Sequence, residues 1–144
     1  MGESFIAKAV IVIHAKPERV WRALTDPAII SEYLFGTTVK TTWKIGAPIA
    51  WTGVWEGKTY EDKGRIVDLV PNRLLRSTYW SSMSGKPDSP EYYNTVTYEL
   101  VEKDGRTALT LTQDNNPTQE SADHSRKNWE MVLAKMKEIL EKMA

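Results

Sequence analysis

The chain has 144 residues, with 19 basic side chains against 19 acidic ones and no cysteine. That length suits one domain with a sizeable core, so residues 1–144 are expected to fold as a single unit. The charge balance argues against a protein that tracks a phosphate backbone, and the missing thiols exclude disulfides, zinc–thiolate sites and cysteine nucleophiles.

The longest apolar run, Ala9 to Ile13, is far short of the roughly 20 residues a membrane helix needs. The opening MGESFIAKAV lacks the basic start and apolar core of a signal peptide, and Ile6 stands where a myristoylation signal wants Ser or Thr. Pro117 blocks Asn116-Pro117-Thr118 as a glycosylation site. A cytoplasmic protein is expected, without membrane insertion, nucleic-acid partner or cofactor. Six Trp and six Tyr against two Phe favour side chains that join a large apolar surface to a polar tip, which suits partly wet cavities.

Phe5 to Ile13 is β-branched and nearly continuous in apolar residues, which predicts a strand. Pro17 then opens a helix at its first position, with Val20, Trp21 and Leu24 as the buried stripe. Asp26-Pro27 starts a second short helix, Asp26 as N-cap; Ile29, Ile30, Tyr33 and Leu34 form its apolar face and Gly36 ends it. Strands and turns follow: Ile49 to Trp55, a turn at Gly57-Lys58, Gly64 to Val70, Leu74 to Ser81, and Tyr92 to Val101, whose alternation puts Asn94, Val96, Tyr98 and Leu100 on one face. Asp104-Gly105 is a hairpin signal leading into Thr107 to Gln113. Ser81 to Pro90 is rich in Ser, Gly and Pro and reads as a mobile loop.

The final element is a helix from Thr118 to Lys142, about 37 Å at roughly 1.5 Å per residue, with Asn116 as the expected cap, Pro117 at N1 and Gln119 completing a capping box. Trp129, Val132, Leu133, Met136, Ile139, Leu140 and Met143 share one face. A helix this long with one apolar face needs a broad apolar partner, and the concave side of a curved antiparallel sheet supplies it. The expected fold is α+β.

The order strand, two short helices, antiparallel strands and long helix resembles the helix-grip (START-like, SRPBCC) superfamily. Pro17-Glu18-Arg19-Val20-Trp21, Ala23-Leu24-Thr25-Asp26-Pro27 and Tyr33 resemble the opening of proteins similar to the C-terminal domain of the activator of heat shock protein 90 ATPase. Gly64-Arg65-Ile66-Val67-Asp68-Leu69 with Pro71, Arg73 and Leu74, then Thr107 to Gln113, then Trp129 with Leu133, resemble that family's later portions. The resemblance implies a hydrophobic cavity between sheet and long helix, in a superfamily that spans carriers, cyclases and chaperone regulators.

No catalytic or metal-binding constellation stands out. Asp123-His124-Ser125 are adjacent on a helix, point in different directions and cannot form a relay. His14 and His124 lack metal-ligand spacing and read as surface residues. Glu61, Asp62 and Asp68 are candidate acids or bases, although Glu61 and Asp62 read first as parts of a solvated hairpin. The aromatic set carries the main expectation: Tyr33, Trp51, Trp55, Tyr79, Tyr98, Gln113, Trp129, Leu133 and Met136 contact a hydrophobic or aromatic small molecule, with a tyrosine hydroxyl or Gln113 orienting it. The alternatives are a cyclase- or hydrolase-like enzyme in the same cavity and a domain that regulates a chaperone's ATPase, with that chaperone as partner. A monomer or weak homodimer is expected.

Overall fold

A computed structural model describes residues 5–82 and 85–142, and of Trp55 the backbone alone. Met143 and the Trp55 side chain therefore lie outside the described residues, as do two positions of the Ser81–Pro90 loop. The elements run β1 (Phe5–Ile13), α1 (Pro17–Thr25), α2 (Pro27–Tyr33), β2 (Thr38–Lys40), β3 (Pro48–Trp55), β4 (Lys58–Val70), β5 (Leu74–Tyr79), a single 3-10 turn (Pro90–Tyr92), β6 (Asn94–Lys103), β7 (Arg106–Asn116) and α3 (Gln119–Lys142).

Among the described residues seven strands form one antiparallel sheet in the order β1-β7-β6-β5-β4-β3-β2. The two helices after β1 carry the chain from one edge of this curved sheet to the other. From β3 to β7 each strand pairs with its predecessor, and β7 closes against β1. The long helix α3 packs against β1 and β7, which gives the expected helix-grip architecture. Leu133, Met136 and Leu140 meet Ile13, Val20, Leu109 and Leu111 in the core; each of these is almost wholly buried.

Local chemistry explains most boundaries. Pro17 and Pro27 open α1 and α2, and the Asp26 carboxylate accepts the Ala28 amide at 3.0 Å. Trp21, expected in the α1 stripe, is only half-buried against the core, and Ala23, not expected there, is fully buried. The β6–β7 turn is Asp104-Gly105, both residues at positive φ, as a two-residue hairpin demands. The β3–β4 turn is Glu56-Gly57, one position before the expected Gly57-Lys58.

Two expectations need correction, and one short strand adds to them. β4 starts at Lys58, not Gly64, because the polar stretch Lys58–Lys63 pairs fully with β3. The three-residue β2 pairs on the far side of β3. Asn116 ends β7 and does not cap α3: it is buried, and its side-chain amide donates to the carbonyl oxygens of Phe5 (2.9 Å) and Gln113 (3.0 Å). The cap is Thr118, whose hydroxyl oxygen accepts the Ser121 amide at 3.0 Å, while Gln119 reaches forward to Asp123.

The described ends of the Ser81–Pro90 loop are tied to the sheet. The Trp80 indole donates to the Pro87 carbonyl (3.0 Å), Asp88 accepts the Tyr93 hydroxyl (2.5 Å), and Lys63 pairs with Asp88.

Candidate functional site

The sheet is wider than α3, and the part the helix leaves uncovered is roofed by α2 and the segment after it. Between them is an open pocket of about 560 Å³. Its floor comes from inward positions of β3 to β7, set by strand alternation. Leu75, Ser77 and Tyr79 come from β5, Val96 and Tyr98 from β6 and Gln113 from β7. One wall is the middle of α3, from Ser125 to Val132 and including Trp129; the other holds Tyr33 and Thr37.

Two aromatic pairs stand in this pocket. Tyr98 and Trp129 meet edge to face with centroids 6.3 Å apart, and Trp51 and Tyr79 do so at 5.1 Å. Each is fixed by a hydrogen bond at its rim. The Trp129 indole donates to Gln113 Oε1 at 2.6 Å, and Gln113 Nε2 donates to Asn116 Oδ1 at 3.3 Å. The Tyr79 hydroxyl donates to Asp62 Oδ2 at 2.5 Å, while Asp62 Oδ1 accepts from the Ser82 amide (2.9 Å) and hydroxyl (3.3 Å).

A third link closes the roof. Thr37 gives its hydroxyl proton to the Leu34 carbonyl at 2.8 Å, so the Tyr60 hydroxyl, 2.5 Å away, is the donor to Thr37 Oγ1. Gly53 makes room for it, since a Cβ there would be 2.4 Å from the Tyr60 oxygen. Deeper in, the Tyr33 hydroxyl donates to the Ala23 carbonyl at 2.9 Å.

Burial shapes the acidity of these phenols. Desolvation holds the Tyr33 and Tyr98 hydroxyls protonated far above the usual tyrosine range, and Tyr79 is raised by burial and then by the Asp62 charge beside it. Such groups donate hydrogen bonds but do not surrender protons near neutral pH, which suits binding better than acid–base chemistry. With folded values above the unfolded one of about 10, these three tyrosines stabilise the fold below roughly pH 10, and that contribution is lost as pH rises through the folded values. In an alkaline titration, half of the six tyrosines are therefore expected to show phenolate absorbance only as near-ultraviolet circular dichroism is lost. Six tyrosines ionising smoothly near pH 10 in a folded protein would contradict the burial described.

A family model described as Activator of Hsp90 ATPase homolog 1-like protein matches residues 14–141. The chain belongs to that family. No curated protein matches it. The solution structure of ChR145 from Cytophaga hutchinsonii is 44% identical, with a TM-score of 0.87 and coverage of 99% of this chain and 98% of that one. The Aha1 dimer from Colwellia psychrerythraea (19% identity, TM-score 0.74, 95% and 96% coverage) has the same fold. So does PFC0360w, an HSP90 activator from Plasmodium falciparum (20% identity, TM-score 0.73, 97% of each chain).

In this member of the Hsp90-ATPase-activator-like family, six of the nine residues singled out in the sequence line the pocket: Tyr33, Trp51, Tyr79, Tyr98, Gln113 and Trp129. Leu133 and Met136 do not; they are one and two turns further along α3, where the helix is pressed onto the sheet. Gln113 is already engaged by Trp129 and Asn116, so it holds the indole in place. Asp62 is no solvated hairpin residue. It is 7% exposed and lines the pocket, because β4 turns Tyr60 and Asp62 inward on the same parity as buried Ile66. Counting back by two from Ile66 would have found both. Glu61 is exposed. Asp68 pairs with Arg76 at 3.2 Å on the opposite face, since Leu75 and Ser77, the neighbours of Arg76, are the ones that enter the pocket. His14 and His124 are exposed, and Asp123 is engaged by Gln119.

Proposed function

We propose that the protein binds a small hydrophobic or aromatic molecule in this pocket and carries it in the cytoplasm, the compartment that a cysteine-free sequence suits. The observation that carries the reading is the pocket itself: about 560 Å³, within the range of roughly 300–1,000 Å³ typical of small-molecule sites, with two edge-to-face aromatic pairs on its walls. Aromatic walls pinned by hydrogen bonds are rigid before a ligand arrives, which lowers the ordering cost of binding.

Tryptophan fluorescence and thermal melting against lipids, flavonoids and polyketide-like aromatics test this. A ligand at 100-fold excess over its Kd stabilises the native state by about 2.7 kcal/mol, so saturable quenching should come with a clear rise in Tm. A panel that leaves both signals unchanged would refute the binding reading. The family match favours a second reading, regulation of a chaperone ATPase, in line with the family's description and with the Plasmodium structure being that of an HSP90 activator. Stimulation of a purified chaperone's ATPase by the pure protein would support it, and no stimulation would count against it.

A further inference from the structure

We infer that the pocket selects an uncharged molecule that presents a hydrogen-bond acceptor, such as a ketone or quinone oxygen, to Tyr98 and Ser77, and that it rejects carboxylates and phosphates. The inference deepens the binding reading above and rests on it.

Among the described residues that line the pocket there is no Lys, Arg or His, and the only charged side chain is Asp62. The neighbouring cations are turned away: Lys63 pairs with Asp88, and Arg76 pairs with Asp68 on the other face of the sheet. The first turn of α3 does not line the pocket either, so the positive end of that helix is not offered to a ligand. An anion would lose its hydration here, find no counter-charge and sit in the same pocket as a buried carboxylate.

The donors of Tyr33, Tyr60, Tyr79 and Trp129 are all engaged by the protein. Two hydroxyls on the floor have no protein partner among the described residues, those of Tyr98 and Ser77, and neither is sealed away from the cavity. They are diagonal neighbours on one sheet face, because Ser77 pairs with Val96 and Leu75 with Tyr98. That spacing puts their Cβ atoms somewhat less than roughly 7–8 Å apart, within the span of one small ligand. Burial keeps the Tyr98 phenol protonated, hence a donor, and a donor with no partner asks for an acceptor.

Three probes of one skeleton separate the terms: fluorene, 9-fluorenone and fluorene-9-carboxylate, titrated by calorimetry at about pH 8, where the acid is ionised. Fluorenone is expected to bind roughly 10-fold tighter than fluorene, and the carboxylate at least 10-fold more weakly than fluorene. Tyr98→Phe keeps the ring against Trp129 and should remove most of the ketone's advantage, with Ser77→Ala removing the remainder. Should either variant melt well below the wild type, the ligand series on wild-type protein decides alone. A carboxylate that binds as tightly as the ketone overturns the inference, as does a ketone preference that survives in the double variant. Fluorene bound with no preference for fluorenone leaves the cavity reading standing and sinks this one; no binding by any of the three sinks both.

Discussion

Gly64→Ala is expected to cost about 3 kcal/mol or more, a large share of the roughly 5–15 kcal/mol by which such domains are stable. A Cβ on Gly64 would lie 1.8 Å from the Thr78 carbonyl oxygen and 2.6 Å from the carbonyl carbon. Both are backbone atoms, so no side-chain rotation relieves the clash. The strands would have to part where the Arg65 amide donates to the Thr78 hydroxyl (2.9 Å) and where Lys63 and Trp80 exchange backbone hydrogen bonds (3.0 and 2.8 Å). The floor of the pocket crosses this point, with Asp62 on one strand and Tyr79 on the other. Urea unfolding measures the loss. Gly53→Ala is the informative contrast, since its Cβ would meet the far end of the Tyr60 ring, which can swing away. It should cost much less while breaking the Tyr60–Thr37 link and loosening the roof. Equal stability for Gly64→Ala and wild type would mean that β4 and β5 do not approach as described.

Trp129→Ala should destabilise by about 3 kcal/mol, the low end of the range for a buried tryptophan, because the ring is only half-buried. Three losses add up: the indole's apolar contacts, its edge-to-face contact with Tyr98, and the 2.6 Å bond that holds Gln113. Trp129→Phe keeps an aromatic ring and should recover more than half of the loss, leaving the cost of an unmatched Gln113 oxygen, about 1 kcal/mol. Chemical denaturation reads both values. A Trp129→Ala protein as stable as the wild type would contradict the packing of α3 over Tyr98.

Where local chemistry determines local structure, the sequence is legible. Pro17, Asp26-Pro27 and Asp104-Gly105 each allow few backbone conformations, and all three fall where expected. Asn116 and Thr118 are both good caps beside the same proline, and no local rule separates them. What decides is the Phe5 carbonyl, 111 residues away, which takes the Asn116 amide. Taken alone, the Lys58–Lys63 stretch does not read as a strand, for a related reason; only the parity of Ile66, carried back two residues at a time, points to it. Its inward residues, Tyr60 and Asp62, face a cavity instead of a packed core, so the usual alternation of apolar and polar residues is missing. Helical spacing marks one face of α3 but not where along it the sheet ends and the pocket begins. That is why Trp129 lines the pocket while Leu133 and Met136, on the same face, are sealed in the core.

A ligand is expected to enter the pocket beside α3, between the uncovered sheet and the α2 roof, and the indole N–H signals test this most directly. Trp129 and Trp51 line the pocket; Trp80, bonded to Pro87 and stacked on Tyr93, does not. In an NMR titration with 9-fluorenone, the Trp129 and Trp51 signals should move saturably with a single Kd while Trp80 stays in place. Indole signals that do not move at saturating ligand, or a shift confined to Trp80, would contradict it.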